Sequence, residues 1–403
     1  MPIRKSVLVI TIGLLLSLYG VAHSKSAWRR VDSGTQYFFT SISAPDSLNL
    51  WVAGGVILRS TDGGNSWGIQ FDSLPSYISI GIVAFADSLN GWALGELCCS
   101  VPISYRTSDG GRTWNRLSCP TANGPNAQQV RAVSFIDTLS GWLAMDGDTV
   151  YRTRDAGLTW TPNFVGVSGF SPFQIQFVDS LHGWLGGLGN DGLTPLLYSS
   201  DGGRNWEIQS LNLNDTLSRV IDLDFIDRKM GWLLMAVAGQ RIYRTTDGGT
   251  NWTATHGEAD GPIRKALDFV DESKGWIAGT KFFGGFVSVI SNSMDSGRSF
   301  VDTLIQEGSS AQKIKMFNEN IGWAVDALGG ILKYAPLVLG DVNWDGNLTL
   351  TDVVLELNKV FLDEPFPAPE QMGDVNCDAR FSAADIVWLL RRVFLQRPFP
   401  CSL

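Results

Sequence analysis

An eight-residue box ending in an aromatic residue occurs six times along the chain: STDGGNSW (60–67), TSDGGRTW (107–114), TRDAGLTW (153–160), SSDGGRNW (199–206), TTDGGTNW (245–252) and SMDSGRSF (293–300). The closing aromatics are 47, 46, 46, 46 and 48 residues apart, so one unit of nearly constant size repeats and the fold must be periodic. A second signature precedes the boxes: Phe85 and Asp87 before Trp92, Phe135 and Asp137 before Trp142, Phe177 and Asp179 before Trp184. Phe225 and Asp227 before Trp232, and Phe269 and Asp271 before Trp276, continue it; degenerate copies end at Trp51 and Trp323, which makes seven units.

Ahead of each Trp the apolar residues alternate, as in Val133/Phe135 and Leu223/Phe225, and this period of two marks a strand. Each unit has room for four short strands, and four-stranded units repeated radially are propeller blades. The expected fold is therefore an all-β, seven-bladed β-propeller over residues 25–335. The seventh unit stops at ILKY (331–334) without a box. The segment SAWRRV (26–31) is like those that follow the boxes, so it is expected to supply the missing outer strand and close the ring; an open array would leave edges unpaired.

In each box the carboxylate (Asp62, Asp109, Asp155, Asp201, Asp247, Asp295) is placed to accept hydrogen bonds from its own turn. A glycine such as Gly64 permits a backbone angle other residues resist, and the aromatic packs between blades. Six copies cannot all be one active site. These aspartates are read as structural, and no residue is read as catalytic. The boxes, with the F-x-D-x-x-x-G-W element, resemble the Asp-box (BNR) repeats of the photosystem II assembly and stability factor family of seven-bladed propellers, over residues 26–334. Sialidases, xyloglucan-hydrolysing enzymes and sortilin-type receptors share the box, so the resemblance implies a fold more than an activity.

Arg4 and Lys5 precede a short apolar run, Val7 to Tyr19, with small residues around a cut after Ser24. Residues 1–24 are thus expected to be a signal peptide, giving a secreted, extracellular or cell-surface protein of bacterial-type export. The formal net charge is −9, and −11 without the leader's two basic residues, which disfavours nucleic acid. Of five cysteines, Cys377 is expected to pair with Cys401, and Cys119 with Cys98 or Cys99. Only His182 and His256 lie beyond the leader, so a histidine-based site is not expected.

After a linker at 336–339 the period stops. A domain at 340–403 contains GDVNWDGNLTLTD and, 33 residues on, GDVNCDARFSAAD. Asp341, Asn343, Asp345 and Asp352 occupy calcium-loop positions one, three, five and twelve, with the Asn347 carbonyl at seven and Gly346 at the turn. The second loop offers Asp374, Asn376, Asp378, Asp385 and the Arg380 carbonyl. Ala379 stands at its turn, and a left-handed alanine costs about 1 kcal/mol, so weaker binding is expected there. An all-oxygen ligand set selects Ca2+. The duplicated loop, Asp at position twelve and a single helix after each loop resemble a type I dockerin. That resemblance implies calcium-dependent docking to a cohesin-like domain.

The expected function is that of a secreted, monomeric, non-catalytic binding or scaffold protein whose propeller meets a protein or glycan. Arg131, Arg219, Arg264, Lys265 and Lys313 stand near the starts of inner strands and would suit an anionic ligand if they formed one ring. Two alternatives remain open. One is a glycoside hydrolase, since dockerins often accompany polysaccharide-degrading enzymes and Asp224 and Asp268 occupy equivalent positions in adjacent units. The other is an assembly factor for a membrane complex.

Overall fold

The computed structural model describes residues 26–71, 78–97, 101–120, 129–189, 196–211, 219–237, 239–258, 261–343, 347–363 and 370–400. The leader, Cys98, Cys99, Asp345, Gly346 and Cys401 lie outside the described residues. Contacts divide the chain into two compact units, one of residues 28–334 and one that begins at Ala335.

The first unit is a ring of seven four-stranded sheets, six of them taken up in simple chain order. The seventh runs Ser26–Val31, Ile331–Pro336, Ile321–Asp326, Ala311–Asn318 from outside to inside, so the N-terminal strand completes the last blade as expected. Trp28 of that strand lies 5.1 Å from Tyr334, ring to ring.

The F-x-D-x-x-x-G-W element is a hairpin with three separate tasks. In blade three, Phe135 pairs across the hairpin with Gly141, and a Cβ on that glycine would stand 2.4 Å from the Phe ring, so only glycine fits beneath it. Asp137 accepts the amides of Leu139 and Ser140 and shapes the turn. Trp142 then projects into the next blade, where it stacks on Phe177 at 3.6 Å. The same stack joins Trp51 to Phe85, Trp92 to Phe135, Trp184 to Phe225 and Trp232 to Phe269 at 3.5 to 3.8 Å. Each such pair contributes about 0.5–1.5 kcal/mol beyond simple burial.

The boxes lock these stacks. Asp109 accepts the Thr113 amide and hydroxyl and the Thr107 hydroxyl, while Thr107 accepts the Gly111 amide. Thr113's two bonds hold the Asp109 carboxyl down to about 2. Asp62, Asp155, Asp201, Asp247 and Asp295 are engaged in the same way. The residue after each aspartate is left-handed, and its carbonyl accepts the indole N–H of the preceding blade's Trp. Trp51 donates to Gly110, Trp92 to Ala156, Trp142 to Gly202, Trp184 to Gly248, Trp232 to Ser296 and Trp323 to Gly63. Each box therefore acts between blades as well as within its own turn.

In the second unit, helix α1 (Leu350–Leu362) and helix α3 (Ala383–Leu395) pack together, with a short α2 (Glu370–Gly373) between them in sequence. Both long helices open on capping boxes, Thr349 with Asp352 and Ser382 with Asp385. Val353, Val375, Ile386 and Leu389 form the apolar core. Leu337 and Leu339, expected in a linker, instead join this unit's apolar clusters, while Val338 between them stays exposed.

Candidate functional site

Inner strands from all seven blades line a cavity of about 760 Å³ along the ring's channel. Each inner strand carries a bulge at one recurring position, occupied by Thr40, Gly81, Arg131, Phe173, Ile221, Lys265 and Gln312. The bulge flips the alternation, so residues on its two sides reach the channel out of phase with a simple count.

The channel's polar side chains bridge neighbouring inner strands. Ser134 accepts the Phe177 amide at 2.9 Å, Gln176 the Phe225 amide at 2.7 Å, Asp224 the Phe269 amide at 2.7 Å and Asp222 the Leu267 amide at 3.1 Å. Asp268 accepts the Met316 amide and the Lys315 ammonium, the latter at 2.6 Å. Lys313 bonds Asp222 at 3.3 Å. Blades five to seven thus hold three carboxylates and two ammonium groups, while blades one and two present Thr40, Ser41, Ser43, Gly81 and Ala84. Burial pushes Asp224 up to about 7, with Asp268 reinforcing it. Asp268 is also raised, again chiefly by burial. Although burial opposes its charge, Lys315 beside both aspartates is held up to about 12.

Of the five basic residues expected to form a ring, Arg131 and Lys313 line the channel cavity, while Arg219, Arg264 and Lys265 are not among its lining residues. Arg131 forms a bidentate pair with Asp146, at 2.6 and 2.9 Å, and Lys313 is taken by Asp222. Arg219 lies over the Phe173 ring at 5.7 Å. Arg264 is buried over Phe300, and Lys265 bonds Gln312 at 3.1 Å. Asp222 is a channel charge that a residue count alone did not single out.

The calcium loops are partly described. In the second, Asp374 accepts the amides of Asp378 and Ala379, Asn376 accepts the Asp378 amide, and Asp378 accepts the Arg380 amide. Ala379 has a φ of 64°, so alanine does take the left-handed turn expected of glycine. Asp385 closes the loop by accepting the Asn376 amide. In the first, Asp352 accepts the amides of Val342 and Asn343, while Asp341 is buried. Among the described residues no three His, Cys, Asp or Glu converge on one ion position. The donors are nonetheless all oxygen and the second loop's turn carries the required backbone, so the residues fit a hard cation.

Cys377 is disulfide-bonded, and Cys401, its expected partner, lies outside the described residues. Cys119 is a free thiol, so the pairing expected for it with Cys98 or Cys99 is corrected. Its side chain packs with Trp92, Leu117 and Tyr151, and burial pushes it up to about 12.

Glu356 escaped the sequence reading. It is fully buried in α1, neither carboxylate oxygen has a partner among the described residues, and burial, with Asp385 and Asp352 adding repulsion, pushes it up to about 9.

A family model described as the photosynthesis system II assembly factor YCF48 matches residues 20–171, and one described as the dockerin type I domain matches residues 339–394. The photosystem II assembly lipoprotein Ycf48 of Synechococcus sp. (strain CC9902) is 25% identical over 189 residues, covering 46% of this chain and 55% of that protein. The chain spans about half the length of the curated relatives it matches. The solved structure of YCF48 bound to D1 peptide superposes with a TM-score of 0.62 at 20% identity, over 76% of this chain and 96% of that one. A GH74 enzyme of Niastella koreensis gives 0.59 at 13% identity, over 76% and 53%. Likeness at these identities shows the fold alone. The chain is a seven-bladed Asp-box propeller that resembles the photosystem II assembly factor family and carries a C-terminal domain that resembles type I dockerins.

Proposed function

We propose that this is an exported binding protein: its propeller holds a protein segment, and its C-terminal domain docks on a cohesin-like partner when calcium fills the two loops. One observation carries the non-catalytic half of this reading. The channel's carboxylates are spent on neighbouring strands, since Asp222, Asp224 and Asp268 each accept a backbone amide of the next blade. Supporting the binding half are the solved relative whose title names a bound peptide and the dockerin match over residues 339–394. In the loops Asp341, Asn343, Asp345 and Asp352, and Asp374, Asn376, Asp378 and Asp385, would hold the ions, with carbonyls of Asn347 and Arg380.

Affinity capture from a native cell surface with the full chain tests this, in calcium and in chelator. A cohesin-bearing protein retained only in calcium is the expected result. Capture indifferent to chelator would overturn the docking half.

A hydrolase is the second reading, favoured by Asp224 being raised to about 7 beside Asp268, as an acid–base pair requires. The purified chain is expected to leave sialosides and plant polysaccharides intact. Turnover that disappears in Asp224→Asn would reverse the preference.

A further inference from the structure

Blade six differs from its neighbours at the rim of the ring. Its second and third strands stay paired out to Phe282 opposite Phe286, whereas the same hairpin of blade three stops at Ala144 opposite Val150. The turn is uncrowded, since a Cβ on Gly284 or Gly285 would meet nothing within 4 Å. Phe282, Phe283 and Phe286 are each more than half exposed there. Beside them Phe283, Phe286, Val287, Leu304 and Ile305 line a pocket of about 690 Å³ whose other residues are glycines, so it offers no polar side chain. Leu304 and Ile305 are consecutive on the outer strand, Val301–Glu307, and both reach the pocket because Ile305 is the extra residue of a bulge.

The ring does not ask for these residues. Blade five bulges its outer strand at the matching place, yet sets Thr255 there in the run TATHGE, Thr253–Glu258. Blades two and four keep outer strands of three and two residues, which leaves little edge to pair, but that of blade six has seven. Nothing among the described residues pairs with its free side, and Val301 and Leu304 are more than half exposed. A strand edge beside an apolar pocket narrows the occupant. Hydrocarbon would fill the pocket but leave the edge's N–H and C=O groups unsatisfied, which counts against a bilayer. A glycan's hydroxyls would find no side-chain partner in the pocket. An extended peptide meets both demands, with its backbone on the edge and an apolar side chain in the pocket. Charge selects further. Asp302 and Glu307 are the strand's only charged residues, Lys281 balances the first at 3.9 Å, and the chain's formal net charge is −9, so an acidic segment or a second copy is repelled.

We propose that blade six takes an extended, apolar and non-acidic segment of another protein as a fifth strand along Val301–Glu307, with one side chain of that segment in the pocket beside Phe283 and Phe286. The inference rests on the reading that the propeller holds a protein segment, and it places that segment at the rim rather than in the channel.

The test uses the full chain in chelator and a fluorescent peptide alternating valine with lysine and threonine. Its Kd is measured by anisotropy for wild type, for Phe283→Ser and Leu304→Ser at exposed positions, and for Ile208→Ser as a control on the outer strand of blade four. Each pocket variant is expected to weaken binding roughly tenfold and the control to leave it unchanged. The same peptide methylated on its backbone amides is expected not to bind. A wild type that ignores the peptide, or pocket variants that bind it equally well, would overturn the proposal. So would a dimer in sedimentation equilibrium, or adhesion to phosphatidylcholine vesicles, that Phe283→Ser abolishes, since either gives the patch another occupant. Surface protein retained equally by wild type and Phe283→Ser in chelator would overturn it while leaving the parent reading intact. A wild type that retains none would sink that reading, and the proposal with it.

Discussion

Between blades three and four, buried Trp142 stacks on Phe177 and donates its N–H to Gly202 of the next box at 2.9 Å. Between blades six and seven, Trp276 is just as buried, yet its N–H has no acceptor among the described residues. The cause is in the chain: blade seven is the one without a box. Met316 stands where other blades place the stacking Phe, and Tyr334 fills in at 5.9 Å from the indole. Boxed seams are thus closed by an oriented hydrogen bond, over a flat stack in five of the six, and the unboxed seam by adaptable side chains and a borrowed strand. The box's value lies in the seam, which is why its loss coincides with the blade that has to accept the N-terminus.

The largest expected effect comes from removing that borrowed strand. Deleting residues 26–31 strips Ile331–Pro336 of its outer neighbour and uncovers the apolar cluster that includes Trp28, Trp276 and Tyr334. Thermal unfolding and size-exclusion chromatography are expected to show a fall in Tm of more than about 10 °C and self-association through the exposed edge. A truncated chain that melts like the parent would show that the ring does not depend on its closure.

A sharper comparison uses the same substitution at both seams. Trp142→Phe and Trp276→Phe remove equal ring volume, but only the first strands a carbonyl, that of Gly202. Trp142→Phe is expected to be the more destabilising by about 1 kcal/mol, read from paired denaturant midpoints. Equal losses would mean that the stack, not the hydrogen bond, holds boxed seams.

Much of this was legible from residues alone because periodicity survives in sequence. The box spacing set the blade number, and Asp224 and Asp268, read as equivalent positions in adjacent units, do line the channel together. The missing seventh box pointed to Ser26–Val31. Three things were hidden. The bulge in each inner strand leaves no residue signature, so the sequence did not show which of the five basic residues would line the channel. The indole acceptor is a backbone carbonyl, and a carbonyl has no letter; Ala156 and Ser296 serve as well as glycine. Glu356 reads as an ordinary helix residue until its burial is known, although its counterpart Leu389 was a signal already present in the duplication.

The smallest expected effect tests whether box carboxylates brace their turns as charged groups. Asp109 in the fold is held at about 2 against an ordinary 3.8, mainly by the amide and hydroxyl of Thr113. A folded value below the unfolded one means that ionisation favours the fold. The benefit is complete above pH 4 and disappears as pH falls through about 2. The group is largely open to solvent, so its worth is at most about 1 kcal/mol. Asp109→Asn keeps one acceptor but turns an amide toward the Thr113 hydroxyl, and it is expected to lower Tm slightly at pH 7. Wild type and variant should converge as the melts are repeated down toward pH 2. A difference that stays constant with pH would assign the loss to turn geometry, and the comparison between boxed and unboxed seams would then rest on the indole bonds alone.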